Sequence, residues 1–187
     1  MEYLAIIFGA VFLTNILLNS LIGFPFLDKK TQLKDVVYTG LKVTVVALLS
    51  AVIIYPIHTY LLKPEGWIFL TPFIEILIVL NIQLLVDYLG RKLNINFLVT
   101  TNNKSLVVIN ALVFTIGITM VSQTNYLGAM AQTLGFGLGY LLVTVLIFTI
   151  KPRLELPGVP KAFKGIPLML IVLGILGMIF LGLGGIL

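Results

Sequence analysis

Six apolar runs divide the chain, and its polar residues gather mainly in the short stretches between them. A bilayer-spanning helix takes about 20 mostly apolar residues. Runs of that order fall at about Tyr3–Gly23, Val36–Leu62, Trp67–Tyr88, Phe97–Val121, Leu127–Ile150 and Ile166–Leu187. The first ends at "GFPF", where Pro25 and the charged "DKK" stop it. It has no basic leader and no small-residue cleavage site, so it reads as a retained helix and not as a signal peptide. Pro56 predicts a kink in the second run, which is also long enough to tilt.

The fourth run interrupts its own hydrophobicity with "LVTTNNKSLVV", residues 98–108. Backbone that leaves the helix at membrane depth must be buried in protein or line a wet cavity, because lipid cannot satisfy its polar groups. A similar Asn-containing interruption lies in the first run: "FLTNILLNSLIGFP" precedes "FLVTTNNKSLVVIN" by about 87 positions. Three helices separate equivalent positions, and an odd number inverts the second half against the first. The pattern predicts an all-α integral membrane protein of six transmembrane helices, arranged as an inverted 3+3 repeat with helices 1 and 4 broken. It is a single membrane domain, 1–187, with repeat halves of about 1–92 and 93–187. Hydrogen bonding between packed helices is the alternative account of the same Asn, Ser and Thr residues.

Composition supports the membrane reading. Hydrophobic residues make up 59% and charged residues only 10% of the 187, against about 25% charged in a soluble domain. The mean hydropathy is +1.14. There is no cysteine, which removes disulfides, thiolate zinc sites and cysteine nucleophiles. The net charge of +5 does not point to nucleic acid, because the basic residues lie between apolar runs. Lys29, Lys30, Lys34, Arg91, Lys92, Lys151, Arg153, Lys161 and Lys164 fall on one face, and Lys63 alone on the other. By the positive-inside rule the first face is cytoplasmic and both termini are external.

Few intramembrane groups carry chemistry. Glu75, about a third of the way into the third run, is a candidate cation site or proton carrier; a charge at that depth costs at least about 2.5 kcal/mol on insertion scales. Lys104 snorkels to water if the break brings it there, and otherwise needs an anion, such as Glu75 or a bound ligand. Asp87 precedes Arg91 by four residues, the spacing of an interfacial helix salt bridge. Asn81 and Gln83 suit helix-to-helix hydrogen bonds. His58 stands near the external end of the second run with no second His or Cys to complete a metal site. "GFGLG" and "GILGMIFLGLGG" lack the strand-to-helix context of a nucleotide loop. They read as surfaces for close helix packing, including packing against a partner subunit.

The chain resembles the six-helix RnfA-like and NqrE-like subunits of the Rnf and Na⁺-translocating NADH:quinone reductase complexes, almost end to end. The residues that carry the resemblance are "LTNILLNSLIGFPF", "NIQLLVDYLGRK", "LVTTNN" and "IKPRLELPGVPKAFKGIPLMLIVLGILGMIFLGLGGI". It implies a prokaryotic cell (inner) membrane and a homologous six-helix partner subunit of opposite topology. It also implies flavin-binding and iron–sulfur subunits, and an iron–sulfur cluster held between the two six-helix subunits by cysteines at the breaks. In this chain the pattern's "LGLCPF" reads "IGFPF", with Phe24 before Pro25, and "TTNC" reads "TTNN", with Asn103 in the cysteine's place. Neither a phenyl ring nor a carboxamide replaces a thiolate ligand. The expectation is therefore no cofactor and no metal bound by this chain, and at most a non-catalytic subunit of an oxidoreductase complex. Such a subunit gives scaffold and an ion path, with Asn15, Asn102, Lys104 and Glu75 as the candidate ion or polar site. The alternatives are a small-solute or ion transporter on the same fold, and a purely structural partner of another membrane protein.

Overall fold

The computed structural model describes residues 2–21, 32–95, 98, 99, 103–123, 125–154, 160 and 163–183, and for 103–110 and 120 it describes the helical backbone only. Helix α1 (Glu2–Phe8) runs into a π-helical turn, Gly9–Leu13, and after a break at Thr14 and Asn15 continues as α2 (Ile16–Ser20). Then come α3 (Leu33–Pro56) with its π-helical extension Ile57–Leu62, a short 3₁₀ turn Ile68–Leu70, α4 (Thr71–Lys92), α5 (Asn103–Met120), α6 (Tyr126–Leu154) and α7 (Ile166–Leu183). All six expected spans are present as helix, and five are both long and apolar enough to cross a membrane by composition among the described residues.

Local chemistry sets the ends. The Gln32 backbone N–H donates to Asp35 Oδ2 at 3.0 Å, occupying a donor at the start of α3. Pro56 has no N–H to give, and the chain responds by widening into the π turn, where Lys63 N–H reaches the His58 carbonyl at 2.9 Å. The kink expected at Pro56 is thus absorbed as a π-helical turn. Gly66, at φ +72°, closes that segment, and Trp67 N–H reaches back to the Leu62 carbonyl at 2.9 Å. Asn94, at φ +54°, ends α4 in the same way, with Ile95 N–H on the Gly90 carbonyl at 2.9 Å.

Helices α3 and α6 form the centre. Their apolar windows are 50% buried, against 28% for the first span, 28% for the third and 17% for the last, so those three turn most of their surface away from the bundle. The two run antiparallel: Gly40 meets Leu141, Thr44 meets Gly137 and the Tyr55 ring meets Tyr126 with centroids 5.6 Å apart. Close approach requires the glycine at 137, where a methyl would lie 2.5 Å from Thr44 Oγ1. The α1–α2 segment packs parallel to α6, Gly135 against Ile7 and Ala10, Gly139 against Val11 and Asn15.

Around this pair α4 and α5 lean on α3 and on each other, while α7 and the α1–α2 segment lean on α6 and on each other. Exchanging the halves maps each of these contacts onto another and α3–α6 onto itself, as an inverted repeat requires, whereas the α5–α6 contact has no comparable counterpart between the first span and α3 among the described residues. The same antiparallel pairings bring the start of α3 (Lys34) and the ends of α4 (Arg91, Lys92) and α6 (Lys151, Arg153) to one end of the bundle, the basic end.

Candidate functional site

The break in the first span is built around one side chain. Asn15 leaves the helix at φ −57°, ψ 117°, and its Oδ1 accepts from Leu17 N–H at 3.1 Å and Leu18 N–H at 3.3 Å, capping α2. Its Nδ2 donates to the Val11 carbonyl at 2.8 Å, closing the preceding π turn. Asn15 is 1% exposed and presses on Gly139, where a methyl would lie 2.7 Å from Nδ2 and 3.0 Å from the Val11 carbonyl. The amide is engaged in holding the two half-helices together. Beside it lies a groove of about 390 Å³, lined on the α2 side by Thr14, Asn19 and Ser20, on the α5 side by Thr115, Thr119 and Ser122, and on α6 by Gln132. The polar lining is uncharged, and Gln132 Oε1 has no hydrogen-bond partner among the described residues.

The second expected break lies largely outside the described residues. So do Phe24, Asn102 and the "GFPF" stop. Asn103 opens α5, and Lys104 follows it on the helical backbone; their side chains are also outside the described set.

Glu75 is placed differently from the expectation. It is wholly buried on α4, against Gly117 of α5, where an added methyl would overlap its carboxylate. Neither oxygen has a hydrogen-bond partner among the described residues. Lys104 and Gly117 are thirteen residues apart on α5, which at 1.5 Å per residue is about 20 Å of helix, several times the reach of a lysine. The expected Lys104–Glu75 pair is therefore excluded by register, and Asn15, packed on α6, is not joined to Glu75 either.

Two further contacts correct the sequence reading. Asp87, for which the sequence offered its helix neighbour Arg91, pairs with Lys42 of α3: Lys42 Nζ donates to Asp87 Oδ1 at 2.6 Å, with side chains 2% and 11% exposed. Lys42 is missing from the sequence-derived candidates. The signal was present, a lone lysine well inside one apolar run and a lone aspartate near the same end of the next. His58 likewise gains a partner the sequence reading lacked: it is buried, and its Nδ1 lies 3.1 Å from Thr71 Oγ1, which in turn donates to the Ile68 carbonyl at 2.7 Å. Asn81 bonds to its own helix, Nδ2 to the Leu77 carbonyl at 2.7 Å, while Gln83 is buried with neither amide atom partnered among the described residues.

An iron–sulfur cluster does not fit the donors this chain offers. No thiol exists anywhere in its 187 residues, its single histidine faces Thr71, and among the described residues no three His, Asp or Glu side chains converge. The glycines divide by use: those of α6 at 135, 137 and 139 meet other helices within 3.0 Å of an added methyl, whereas Gly174, Gly177 and Gly182 of α7 meet nothing within 4 Å.

Comparison with known proteins gives a consistent result. The family model described as "Rnf-Nqr subunit, membrane protein" matches residues 3–187. The chain is 31% identical over 195 residues to the subunit lettered A of the Na⁺-translocating ferredoxin:NAD⁺ oxidoreductase complex of Acetobacterium woodii, an alignment covering 99% of this chain and 98% of that protein. It is 27% identical to the like-lettered subunit of the ion-translocating oxidoreductase complex of Aliivibrio salmonicida and 25% identical to that of Vibrio cholerae, each covering 98% of this chain and 97% of the relative.

Proposed function

Because the chain belongs to the Rnf-Nqr family of membrane subunits, we propose that it is a membrane subunit of an ion-translocating electron-transport complex and holds no iron–sulfur cluster of its own. The observation that carries the reading is a family match over residues 3–187 of a chain without a single thiol. Relatives named as subunits of such complexes align along nearly their whole length, which supports assembly with other subunits. Phe24 and Asn103 stand where the resemblance puts cysteines, and neither side chain donates a thiolate. Electrons therefore cross the membrane through other subunits, and this chain contributes scaffold and a route for ions.

The partner that meets it is a second six-helix membrane subunit of opposite topology. The unpacked glycines of α7 support a close helix contact on that side. The basic end of the bundle faces the cytoplasm and both termini lie outside, in the inner membrane of a prokaryotic cell. The test is metal and flavin analysis of the purified complex, followed by separation of its subunits. Iron and flavin are expected in the complex and absent from this chain; iron bound directly by this chain would sink the proposal.

A further inference from the structure

The contacts between α3 and α4 define a register that neither helix shows alone. Sixteen residues separate Lys42 from His58 on α3, and sixteen separate Thr71 from Asp87 on α4 (58 − 42 and 87 − 71). Lys42 meets Asp87 at one end and His58 meets Thr71 at the other, so each step up α3 matches an equal step down α4. Gln83 then lies level with Val46, Ser50 with Val79, and Glu75 with Ile54. These are five levels four residues apart, each about 6 Å from the next. Every level carries at least one buried polar side chain, supplied now by one helix and now by the other. The seam extends about 24 Å along α4, most of a hydrocarbon core of about 30 Å.

The middle of this seam is unsatisfied. Six buried side-chain polar atoms lack a hydrogen-bond partner among the described residues, and five belong to it: both oxygens of Glu75, Ser50 Oγ and both amide atoms of Gln83. A buried polar atom is costly to leave without a hydrogen bond, so five along one seam need partners drawn from elsewhere. Levels about 6 Å apart are the spacing that one water bridges with two hydrogen bonds of about 2.8 Å.

We propose that the α3–α4 seam is a proton path and that Glu75 is its carrier. The proposal rests on the reading of the chain as a subunit of an ion-translocating assembly. The carboxylate takes a proton from a hydronium ion in the seam, forming an O–H bond and leaving water, and holds it as a neutral acid. It then gives that proton to a water on the other side, which becomes hydronium as the carboxylate reforms. A proton suits the site better than a metal cation because it needs one oxygen. The carboxylate lies against Gly117 on α5 and has no hydrogen-bond partner among the described residues, and the α3 residue at its level, Ile54, is apolar. The ionisable groups facing the seam are Lys42 and His58 on α3 and Asp87 on α4; among its described side chains α5 contributes none.

Two measurements on the complete complex test this. Dicyclohexylcarbodiimide reacts with protonated carboxyls in apolar surroundings: the acid oxygen bonds to the carbodiimide carbon, the acid proton passes to one nitrogen, and acyl migration leaves a stable N-acylurea. In native membranes Glu75 should carry the adduct on peptide mapping, and Glu75→Gln should abolish it. In proteoliposomes, electron-driven proton uptake should fall at least roughly tenfold in Glu75→Gln, with electron transfer retained when the gradient is collapsed. Glu75→Asp should recover part of it. Ser50→Ala, which removes one hydroxyl and no charge, should slow uptake too, and it carries the test if Glu75→Gln does not accumulate. An unmodified Glu75, or wild-type uptake in both variants, overturns the proton path. Because the labelling needs no electron transfer, it still judges the seam if the chain does not co-purify with flavin and iron–sulfur subunits, the result that would sink the wider reading instead.

Discussion

The buried pair between Lys42 and Asp87 gives a sharp test of the α3–α4 register. At a 2.6 Å separation, with side chains 2% and 11% exposed, neither charge can be rehydrated when its partner is removed. Breaking a buried ion pair from one side costs about 3–5 kcal/mol, whereas replacing both members by apolar groups of similar size is often close to neutral. Lys42→Met and Asp87→Leu should therefore each destabilise by about 3–5 kcal/mol, and the double variant by about 1 kcal/mol or less. The resulting coupling is several kcal/mol. The alternative pairing of Asp87 with Arg91, four residues along the same helix, would give only about 0.3–0.5 kcal/mol. Unfolding of the purified chain in mixed detergent and dodecyl sulfate micelles can be followed through its single tryptophan, Trp67. A double-mutant coupling below about 1 kcal/mol, or a loss in Arg91→Ala equal to that in Lys42→Met, would refute the register and with it the order of the polar seam.

Three other outcomes follow from the same geometry. Asn15→Ala removes a cap worth about 1 kcal/mol and strips the Nδ2–Val11 hydrogen bond, so a loss of about 2–3 kcal/mol is expected in the same unfolding assay; a loss under about 0.5 kcal/mol would mean the break is held by other contacts. Gly117→Ala places a methyl on the Glu75 carboxylate and should cost about 1–3 kcal/mol, most of it recovered in the Gly117→Ala/Glu75→Ala double variant; no recovery would show that the two residues do not touch. Because the chain has no cysteine, single cysteines introduced at Glu2, Glu65 and Lys92 report sidedness cleanly. An impermeant thiol reagent applied outside the cell should label the first two and spare the third, and the opposite pattern would reverse the orientation.

The helical spans were legible in the sequence because hydropathy is a property of each segment by itself. The run expected at Trp67–Tyr88 appears as Ile68–Lys92, and the one at Leu127–Ile150 as Tyr126–Leu154. The pairings were not legible, because they depend on how two helices slide against each other. Asp87 has a plausible partner in Arg91 within its own helix, and only the register brings Lys42 to it. The same blindness produced the Lys104–Glu75 pair, two opposite charges in neighbouring spans that the structure sets about 20 Å of helix apart. A regularity nonetheless lies in the one-dimensional text: residues 42, 50 and 58 on α3 and 71, 75, 83 and 87 on α4 are polar at multiples of four, in spans otherwise apolar on that face.

The break of the first span bears on what holds two half-helices together. If metal ligation were what held the half-helices in place, losing the thiols would leave the ends of α1 and α2 with unpaired backbone groups at membrane depth, which lipid cannot satisfy. Asn15 removes that dependence on the first half. Its oxygen takes two N–H groups at the start of α2, its nitrogen takes a carbonyl of the preceding π turn, and Gly139 gives the room for both. The geometry of this break is thus a property of two side-chain atoms, the three backbone hydrogen bonds they make and one glycine, none of which involves iron. The carboxyl of Glu75, packed on Gly117 of α5 and without a hydrogen-bond partner among the described residues, is where the described structure spends stability without a structural return.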